Sequence, residues 1–304
     1  MMPNESEKNK IEGGTLYLVA TPVGNLADLS PRAGKVLGGV DFVAAEDTRN
    51  TRRLLAAFGL SRPLLSYHEH NKRERGPEIV ARLKSGASCA LVSDAGTPAV
   101  SDPGADLVAL CAAEQIPVTA VPGACAAVLA LILSGLPTDR FVFEGFLPVG
   151  GKERRQRLAA VAAEPRTVLL HEAPHRLLTT LCDLCAVAGE TRRVTLCREL
   201  TKQNEEIRRT TLGAARDYYE TNAPRGEFVL VLEGAAEKSA DPAENPRAAL
   251  SPADHVAYYE KEGLSRMEAI KAAARERGMR KSDLYRQLTS GAAASAQDEN
   301  GEEE

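Results

Sequence analysis

Five short apolar runs in the first half of the chain constrain its fold more than any other feature. They lie at residues 15–20, 41–44, 63–67, 88–92 and 117–121, and segments with a helical pattern separate them. None alternates apolar with polar residues, as a strand with one face in water does, so each run is expected to be buried on both faces. The pattern predicts a mainly parallel sheet flanked by helices over residues 13–127.

A second α/β unit is predicted for residues 128–234. Its strands are expected at residues 141–143, 167–171, 193–197 and 227–233. No long helix is predicted between residues 198 and 227, so part of this sheet is expected to be antiparallel. The fold class predicted is therefore α/β, with two α/β domains and a cleft between them.

Beyond residue 234 the composition changes. A segment rich in Pro, Ala, Asp and Glu, at residues 235–249, is typical of a linker, and helices are predicted at 252–262, 265–277 and 281–289. Together these helices form a small helical C-terminal segment at 250–290. The polar ends, 1–12 and 291–304, are predicted to be disordered because almost no apolar residue is available to anchor them.

Composition limits the compartment and the redox chemistry. No apolar run reaches the roughly 18 residues of a membrane span, and the first residues lack the apolar stretch of a signal peptide. A cytoplasmic location is therefore expected. The six cysteines lie mostly in apolar segments, which indicates buried thiols and no disulfides. Cys182 and Cys185 have half of a metal-site spacing, but we predict that both lie on the buried face of a helix, and no metal is expected.

Charge is unevenly distributed along the chain. The formal net charge is -4, yet the last fourteen residues carry five acidic and no basic side chains, so the rest is nearly neutral. Basic residues cluster at 152–157 and again at 264–290, where seven Lys or Arg accompany three acids. Such clusters suit a polyanionic partner, and they equally suit solvated helix faces.

Loops rich in Gly, Pro, Ser and Asp follow two of the predicted strands. Residues 93–104 follow one strand, and a Pro-Gly turn followed by small residues, at 122–127, follows another. Such loops expose backbone N–H groups and let a ligand approach the backbone. Since parallel strands end side by side, residues 22–25, 46–49, 68–71 and 94–96 should converge on one rim. We therefore predict one shared cleft.

Residues 171–177 and 198–202 in the second unit are predicted to form the opposing wall of this cleft. Each of these polar loops also has a purely structural interpretation. Asp47 or Thr48 could cap a helix, and Glu172 could place a favourable charge at a helix N-terminus. Ion pairs within the loops would explain their charges equally well.

Eight motifs occur in order along the chain. They are T-P-x-G-N-L at 21–26, A-A-E-D-T-R at 44–49, S-D-A-G-T-P at 93–98, S-D-P-G at 101–104, V-P-G at 121–123, D-R-F-x-F-E-G-F-L-P at 139–148, H-E-A-P-H-R-L at 171–177 and R-E-L-T-K at 198–202. Together they resemble a known family, the bacterial small-subunit ribosomal RNA (cytidine-2′-O)-methyltransferases of the tetrapyrrole methylase superfamily. Porphyrin-type members carry Gly-Asp-Pro where this chain has residues 93–98. That departure favours the RNA branch over a small-molecule, tetrapyrrole-like methylase.

The resemblance implies an enzyme that binds S-adenosyl-L-methionine in the cleft, acts as a homodimer and methylates the ribose of a cytidine in 16S ribosomal RNA, free or within the small subunit. A non-catalytic RNA-binding module remains the alternative from another class. The cofactor residues implied are Pro22, Asp94, Ala95, Gly96, Thr97, Pro98, Ser101, Pro122, Gly123, Ala124, Cys125, Ala126 and His171.

Methyl transfer from a sulfonium needs positioning more than a nucleophilic residue, although a base near the 2′-hydroxyl would help. Candidates for this base, which the sequence does not rank, are Glu46, Asp47, His68 and Glu172. Phosphate contacts are predicted for Arg49, Lys152, Arg154, Arg155, Arg176 and Lys202. The C-terminal helices, with Gly278 in a turn, could dock RNA or serve as a packing or dimer element.

Overall fold

The computed structural model describes residues 10–236, 247 and 250–295, with side chains as far as residue 289. Near residue 234 the chain divides into two compact units. Within the described part of the chain, no helix has both the length and the apolar character needed to cross a bilayer.

The first sheet is parallel, as its apolar runs predict. Its strand order is β3-β2-β4-β1-β5. The strands are β1 (Leu16–Val19), β2 (Phe42–Ala45), β3 (Leu64–Ser66), β4 (Cys89–Val92) and β5 (Val118–Val121). The helices that alternate with them are α1 (Pro31–Gly39), α2 (Thr48–Ala57), α3 (Lys72–Lys84) and α4 (Gly104–Ala113).

Both faces of this sheet are covered, which explains the absence of polar alternation. Phe42 and Ala44 pack in the core on one face, and Val43 and Ala45 pack in the core on the other. All of the residues of β2 and β4 are buried. The expectation of strands buried on both sides is therefore confirmed.

The second sheet is mostly antiparallel, with strand order β6-β7-β10-β8-β9. Only β6 and β7 run parallel, while β7, β10, β8 and β9 pair antiparallel in turn. Its strands are β6 (Phe141–Phe146), β7 (Thr167–Glu172), β8 (Arg193–Arg198), β9 (Glu206–Thr211) and β10 (Phe228–Leu232), and helices α6 (Gly151–Ala163), α7 (Pro174–Ala188) and α8 (Leu212–Thr221) pack with it.

Strand β9 and helix α8 were not predicted from the sequence, and the expectation of no long helix between residues 198 and 227 is wrong. Strand β9 reads Glu-Ile-Arg-Arg-Thr-Thr and forms the edge of the sheet, where it is only partly buried. Its apolar signal is accordingly weak. Helix α8 begins directly after it, where the Thr211 side chain accepts a hydrogen bond from the Ala214 N–H.

Helix α5 (Ala126–Ser134) crosses the predicted boundary between residues 127 and 128. Its buried residues Ala130 and Leu131 pack with Leu169 and Val231 of the second sheet. The Thr195 hydroxyl in β8 also donates to the Ser134 carbonyl at 3.1 Å. This helix therefore belongs to the second sheet, although it begins at the last loop of the first.

The C-terminal unit consists of three helices in its described residues: α9 (Pro252–Lys261), α10 (Arg266–Glu276) and α11 (Lys281–Ser295). Their core contains Val256, Ile270 and Leu284. The predicted helical segment is confirmed, but α11 continues five residues into the predicted tail at 291–304, so that expectation is wrong for residues 291–295. The rest of that tail, residues 1–9 of the N-terminal tail and most of the predicted linker lie outside the described residues.

Candidate functional site

The loops that follow the parallel strands contact one another, as predicted. Thr21 and Gly96 exchange backbone hydrogen bonds of 2.9 and 3.1 Å, which joins the ends of β1 and β4. The Thr97 hydroxyl donates to the Ala124 carbonyl at 2.9 Å, which joins the loops after β4 and β5. The two glycine-rich loops thus form one continuous rim.

The loop after β4 adopts an unusual backbone. Gly96 has a φ of 81°, and the non-glycine residues Ala99 and Ser101 have φ values of 68° and 61°. The Asp102 carboxylate stabilises this path by accepting hydrogen bonds from the Ala99 and Gly104 N–H groups at 2.9 and 2.7 Å. Left-handed residues of this kind are costly and cluster at ligand-binding sites.

A cavity of about 490 Å³ lies between this rim and the second sheet. Six of the predicted cofactor residues line it: Ala95, Gly96, Thr97, Cys125, Ala126 and His171. Its opposing wall comes from the second sheet and its loops, including Phe146, Glu199, Lys202 and Phe228. The predicted cleft between the two α/β halves is therefore present.

Five other predicted cofactor residues do not line this cavity. Ala124 directs its carbonyl to Thr97. Gly123 packs against Ala20, whose Cβ is 2.8 Å from where a Gly123 Cβ would stand. Ser101 lies equally close to Gly145, at the bulge of β6. A Cβ at Gly145 would stand 2.8 Å from Ser101 Oγ. Pro98 and Pro122 also lie outside the lining of this cavity.

Pro22 and Asp94, also predicted to bind cofactor, line a different cavity. It measures about 290 Å³ and is bounded by the loop after β1, the start of the loop after β4 and one side of α2. The turn at residues 93–97 separates the two cavities, because Ser93 and Asp94 face the smaller one and Ala95 to Thr97 face the larger one. The sequence could not show to which side of the turn the Asp94 carboxylate projects.

His171 lies between two aromatic rings on the wall of the larger cavity. Phe143 and Phe146 meet it edge to face, with centroids at 5.1 and 5.4 Å. Burial lowers the pKa of His171 below its usual value of 6.5, which favours the neutral ring. Among the described residues, its buried Nε2 has no hydrogen-bond partner. The two phenylalanines were not singled out in the sequence.

Lys202 and Thr201 span the mouth between the two sheets. The Thr201 hydroxyl donates to the Val23 carbonyl at 2.5 Å. The Lys202 stem lies so close to Gly24 that a Cβ there would clash with Lys202 Cγ. The Lys202 ammonium pairs with Glu199 and Glu227 at 2.9 and 3.0 Å. Because Lys202 already forms these ion pairs, they favour a structural role for it over the predicted phosphate contact.

The four candidate bases differ in their surroundings. Asp47 caps α2, and Arg49 holds its pKa down, to about 2. Buried Glu172 accepts hydrogen bonds from Ala173 N–H at 2.9 Å and from the Thr180 hydroxyl at 2.6 Å. Burial, together with Asp94 and Asp102, raises the pKa of Glu46, while the Asp94 backbone N–H donates to its carboxylate. Glu46, Asp47 and His68 line neither cavity.

The candidate phosphate contacts also separate into two groups. Arg154 is buried and donates to Asp183, Thr180 and the Pro148 carbonyl, which favours a structural role over the predicted phosphate contact. Arg176 donates to the Leu147 carbonyl at 2.6 Å and pairs with Glu172. Lys152 and Arg155 are exposed on α6, and Arg49 is exposed while paired with Asp47.

The expectation for the two cysteines of α7 is half wrong. Cys185 is buried but Cys182 is exposed. No cluster of three or more metal-ligating side chains occurs within the described residues.

This architecture and this rim define a family. A family model described as Tetrapyrrole (Corrin/Porphyrin) Methylases matches residues 15–216, and the chain belongs to that family. It is 48% identical over 274 residues to "Ribosomal RNA small subunit methyltransferase I" of Synechocystis sp., covering 90% of this chain and 96% of the relative. It is 45% identical over 276 residues to the protein of the same name from Escherichia coli O157:H7, covering 90% and 94%.

Solved structures share the fold at lower identity. A uroporphyrin-III-C-methyltransferase from Thermus thermophilus matches with a TM-score of 0.53 at 20% identity, covering 72% of this chain and 94% of the other. The cobalt precorrin-4 methyltransferase CbiF matches with a TM-score of 0.55 at 19% identity, covering 72% and 95%. These structures confirm the predicted fold class, while the family model and the relatives confirm the predicted family.

Proposed function

We propose that this methylase transfers a methyl group from S-adenosyl-L-methionine to the ribose 2′-oxygen of a cytidine in 16S ribosomal RNA. One observation carries the proposal: the continuous rim, with its 490 Å³ cavity, lies in a chain that shares nearly half its residues with small-subunit ribosomal RNA methyltransferases over nine-tenths of its length.

The larger cavity fits S-adenosyl-L-methionine in size and in chemistry. Small-molecule sites usually measure about 300–1,000 Å³. Backbone groups of Ala95 and Thr97 line the cavity beside a polar ligand, and neutral His171 and Phe146 offer aromatic surface. A side chain at Gly96 would approach Val23 Cγ2 to 3.3 Å, so glycine keeps the backbone accessible.

The bound cofactor supplies a methyl group already activated as a sulfonium, so the protein has to position the acceptor oxygen. Of the four candidate bases, Glu46 is the one that holds the turn between the cavities, through the Asp94 N–H. We assign Glu46 a positioning role. Asp47 and Glu172 are assigned structural roles by their capping and buried hydrogen bonds.

RNA would be held by exposed cations on separate elements. In the compact unit that contains both sheets, three cations face solvent: Lys152 and Arg155 on α6 and Arg49 on α2. In the C-terminal unit, exposed Arg280 and Lys281 precede Tyr285, which is half exposed. Lysine and arginine neutralise phosphates while an aromatic ring stacks on an unpaired base. We propose that the C-terminal helices dock RNA in this way.

A homodimer and a cytoplasmic location complete the proposal. Helix α5 exposes Val128 and Ile132, at 47% and 63%, one turn apart on the same face. Large apolar side chains exposed together favour a protein contact, and a second copy of the chain is the proposed partner. A ribosomal substrate requires access to the cytoplasm.

The direct test is transfer of labelled methyl groups to small ribosomal subunits and to free 16S RNA from a strain that lacks the enzyme. We expect the label on a cytidine 2′-oxygen, mapped by its resistance to alkaline hydrolysis. Label on uroporphyrinogen instead of RNA would support the small-molecule alternative. Binding of RNA without any transfer, and without heat on titration with S-adenosyl-L-homocysteine, would support the binding module.

A further inference from the structure

We infer that a third cavity, on the other face of the second sheet, binds a phosphate of the RNA strand that carries the target nucleotide. This inference rests on the proposed function and deepens it, because none of the phosphate contacts predicted from the sequence lies there. The cavity, which we call the α8 pocket, measures about 280 Å³ and is lined by Arg198, Glu206, Tyr218, Tyr219, Asn222, Ala223 and Arg225.

The α8 pocket lies at the same end of the second sheet as the larger cavity. Cys197 lines the larger cavity, whereas the next residue of β8, Arg198, lines the α8 pocket, because successive side chains of a strand point to opposite faces. Before β10, Arg225 lines the α8 pocket and Glu227 lines the larger cavity. An RNA strand whose ribose enters the larger cavity can therefore continue around the end of this sheet to the α8 pocket.

Arg225 is a cation on an anchored loop. Glu199 anchors the loop: its Oε1 accepts the Glu227 N–H at 3.0 Å, and its own N–H donates to the Glu227 carbonyl at 3.1 Å. Gly226, with a φ of 80°, packs against the same side chain, and a Cβ there would be 2.5 Å from Glu199 Cγ. The exposed Arg225 guanidinium forms no hydrogen bond or ion pair within the described chain. All of its donors are available to an anion.

The charges around the α8 pocket favour an anion as well. Arg198 and Arg208 both pair with Glu206, at 3.1 and 2.5 Å. The Arg208 guanidinium also lies over the Tyr218 ring, with its Cζ 3.7 Å from the ring centroid. With Arg225, three guanidinium groups thus accompany the glutamate of the pocket. The local excess of positive charge attracts a phosphate.

Tyr219 contributes a hydroxyl to the floor of the pocket. The residue is only 6% exposed, and its ring meets Phe228 edge to face with centroids at 5.7 Å. Within the described chain its hydroxyl has no hydrogen-bond partner, although the residue lines the pocket. Burial and the nearby Glu206 raise the pKa of Tyr219, so the hydroxyl keeps its proton and can donate it. A polar group in such a place is costly without a partner, and a phosphate oxygen would supply one.

The first test removes the unpaired cation. Arg225→Ala is compared with Arg62→Ala, which removes an exposed arginine just before β3, at the opposite end of the first sheet from the rim. We expect Arg225→Ala to weaken binding to small ribosomal subunits about tenfold. The slope of log affinity against log salt concentration should also become shallower by about one, as one phosphate contact is lost. Arg62→Ala should leave both quantities unchanged in filter binding over a KCl series.

The second test removes only the hydroxyl. Tyr219→Phe keeps the ring against Phe228, so the midpoint of thermal unfolding should not fall. We expect its affinity for small subunits to fall about two- to tenfold, as one hydrogen bond to the RNA is lost. Calorimetry should give both Tyr219→Phe and Arg225→Ala the wild-type affinity for S-adenosyl-L-homocysteine, because the cofactor is assigned to the larger cavity.

Three results would overturn the inference alone, in a wild-type protein that methylates RNA. These are equal salt slopes for Arg225→Ala and Arg62→Ala, an unchanged RNA affinity in Tyr219→Phe, and a weakened cofactor affinity in Arg225→Ala. If the wild-type protein neither binds RNA nor transfers a methyl group to it, the proposed function is contradicted and the inference falls with it.

Discussion

The backbone N–H of Asp47 donates to Asp94 Oδ1 at 3.2 Å, and the Asp94 N–H in turn donates to the carboxylate of Glu46, the residue before Asp47. Two consecutive residues at the end of β2 thus hold both the backbone and the side chain of the turn after β4. This reciprocal pair fixes the wall that separates the two cavities.

Glu46 variants distinguish positioning from proton transfer. Glu46→Gln retains an oxygen that can accept the Asp94 N–H, so we expect near wild-type methylation. Glu46→Ala removes the acceptor, and we expect kcat to fall about tenfold or more because the turn loses its alignment. Single-turnover rates check this. A Gln variant as slow as the Ala variant would instead indicate that Glu46 accepts the proton.

Gly96→Ala should weaken cofactor binding. At a φ of 81°, an L side chain is strained by about 1–2 kcal/mol, and here its Cβ also meets Val23 and the Ala124 carbonyl at 3.3 and 3.5 Å. Gly59→Ala is the matched control, with a φ of 66° and no heavy atom within 4 Å of its added Cβ. We expect both variants to lose stability in thermal unfolding. Only Gly96→Ala should also raise the Kd for S-adenosyl-L-homocysteine in calorimetry; equal Kd values would contradict the assigned site.

Replacing the neighbouring arginines Arg154 and Arg155 on α6 should affect two different properties, stability in the first case and RNA affinity in the second. Arg154→Met leaves Asp183 and Thr180 without this donor and the Pro148 carbonyl with only the longer bond from Arg176, at a cost of about 2–3 kcal/mol in the free energy of unfolding. Arg155→Met removes an exposed charge, so stability should be unchanged while RNA affinity falls. Urea denaturation and filter binding measure the two quantities. A loss of stability in Arg155→Met, or none in Arg154→Met, would contradict the structural assignment.

His171 predicts a dependence of stability on pH. Burial lowers its pKa in the folded state below the usual 6.5, so folding favours the neutral ring. Its contribution is complete above pH 6.5 and is lost as the pH falls through the lower, folded-state pKa. Urea denaturation between pH 7.5 and 5 should show this loss. It should be smaller in His171→Gln, which does not titrate there; identical profiles would contradict the prediction.

We expect the hydrogen bond from the Thr201 hydroxyl, at the mouth of the larger cavity, to slow the release of the cofactor. Thr201→Ala removes the 2.5 Å bond to the Val23 carbonyl while leaving the Lys202 ion pairs intact. We expect S-adenosyl-L-homocysteine to dissociate faster, with an affinity loss of about 0.5–1.5 kcal/mol. Stopped-flow displacement measures the rate. Thr221→Ala, at an exposed hydroxyl on α8, should leave it unchanged.

The presence of the cavity could be predicted from the sequence, but the directions of individual side chains around it could not. Runs such as Cys89–Val92, apolar throughout, indicated strands covered on both faces, and the helical segments between them indicated a parallel sheet, whose strands bring their loops together. The direction of a single side chain in a turn depends on tertiary bonds, so the side of the turn to which Asp94 projects was not predictable. Adjacent Arg154 and Arg155 differ in the same way: only the packed helix decides which of them is buried.

Helix α5 has a mechanical consequence for the site. Its N-cap is Cys125, on the rim, and the rest of it is packed against the second sheet. If the two sheets move apart, this rigid helix travels with the second, and the main chain has to pivot at residues 122–125. Because Cys125 lines the larger cavity, a molecule bound there would lie directly beside this pivot.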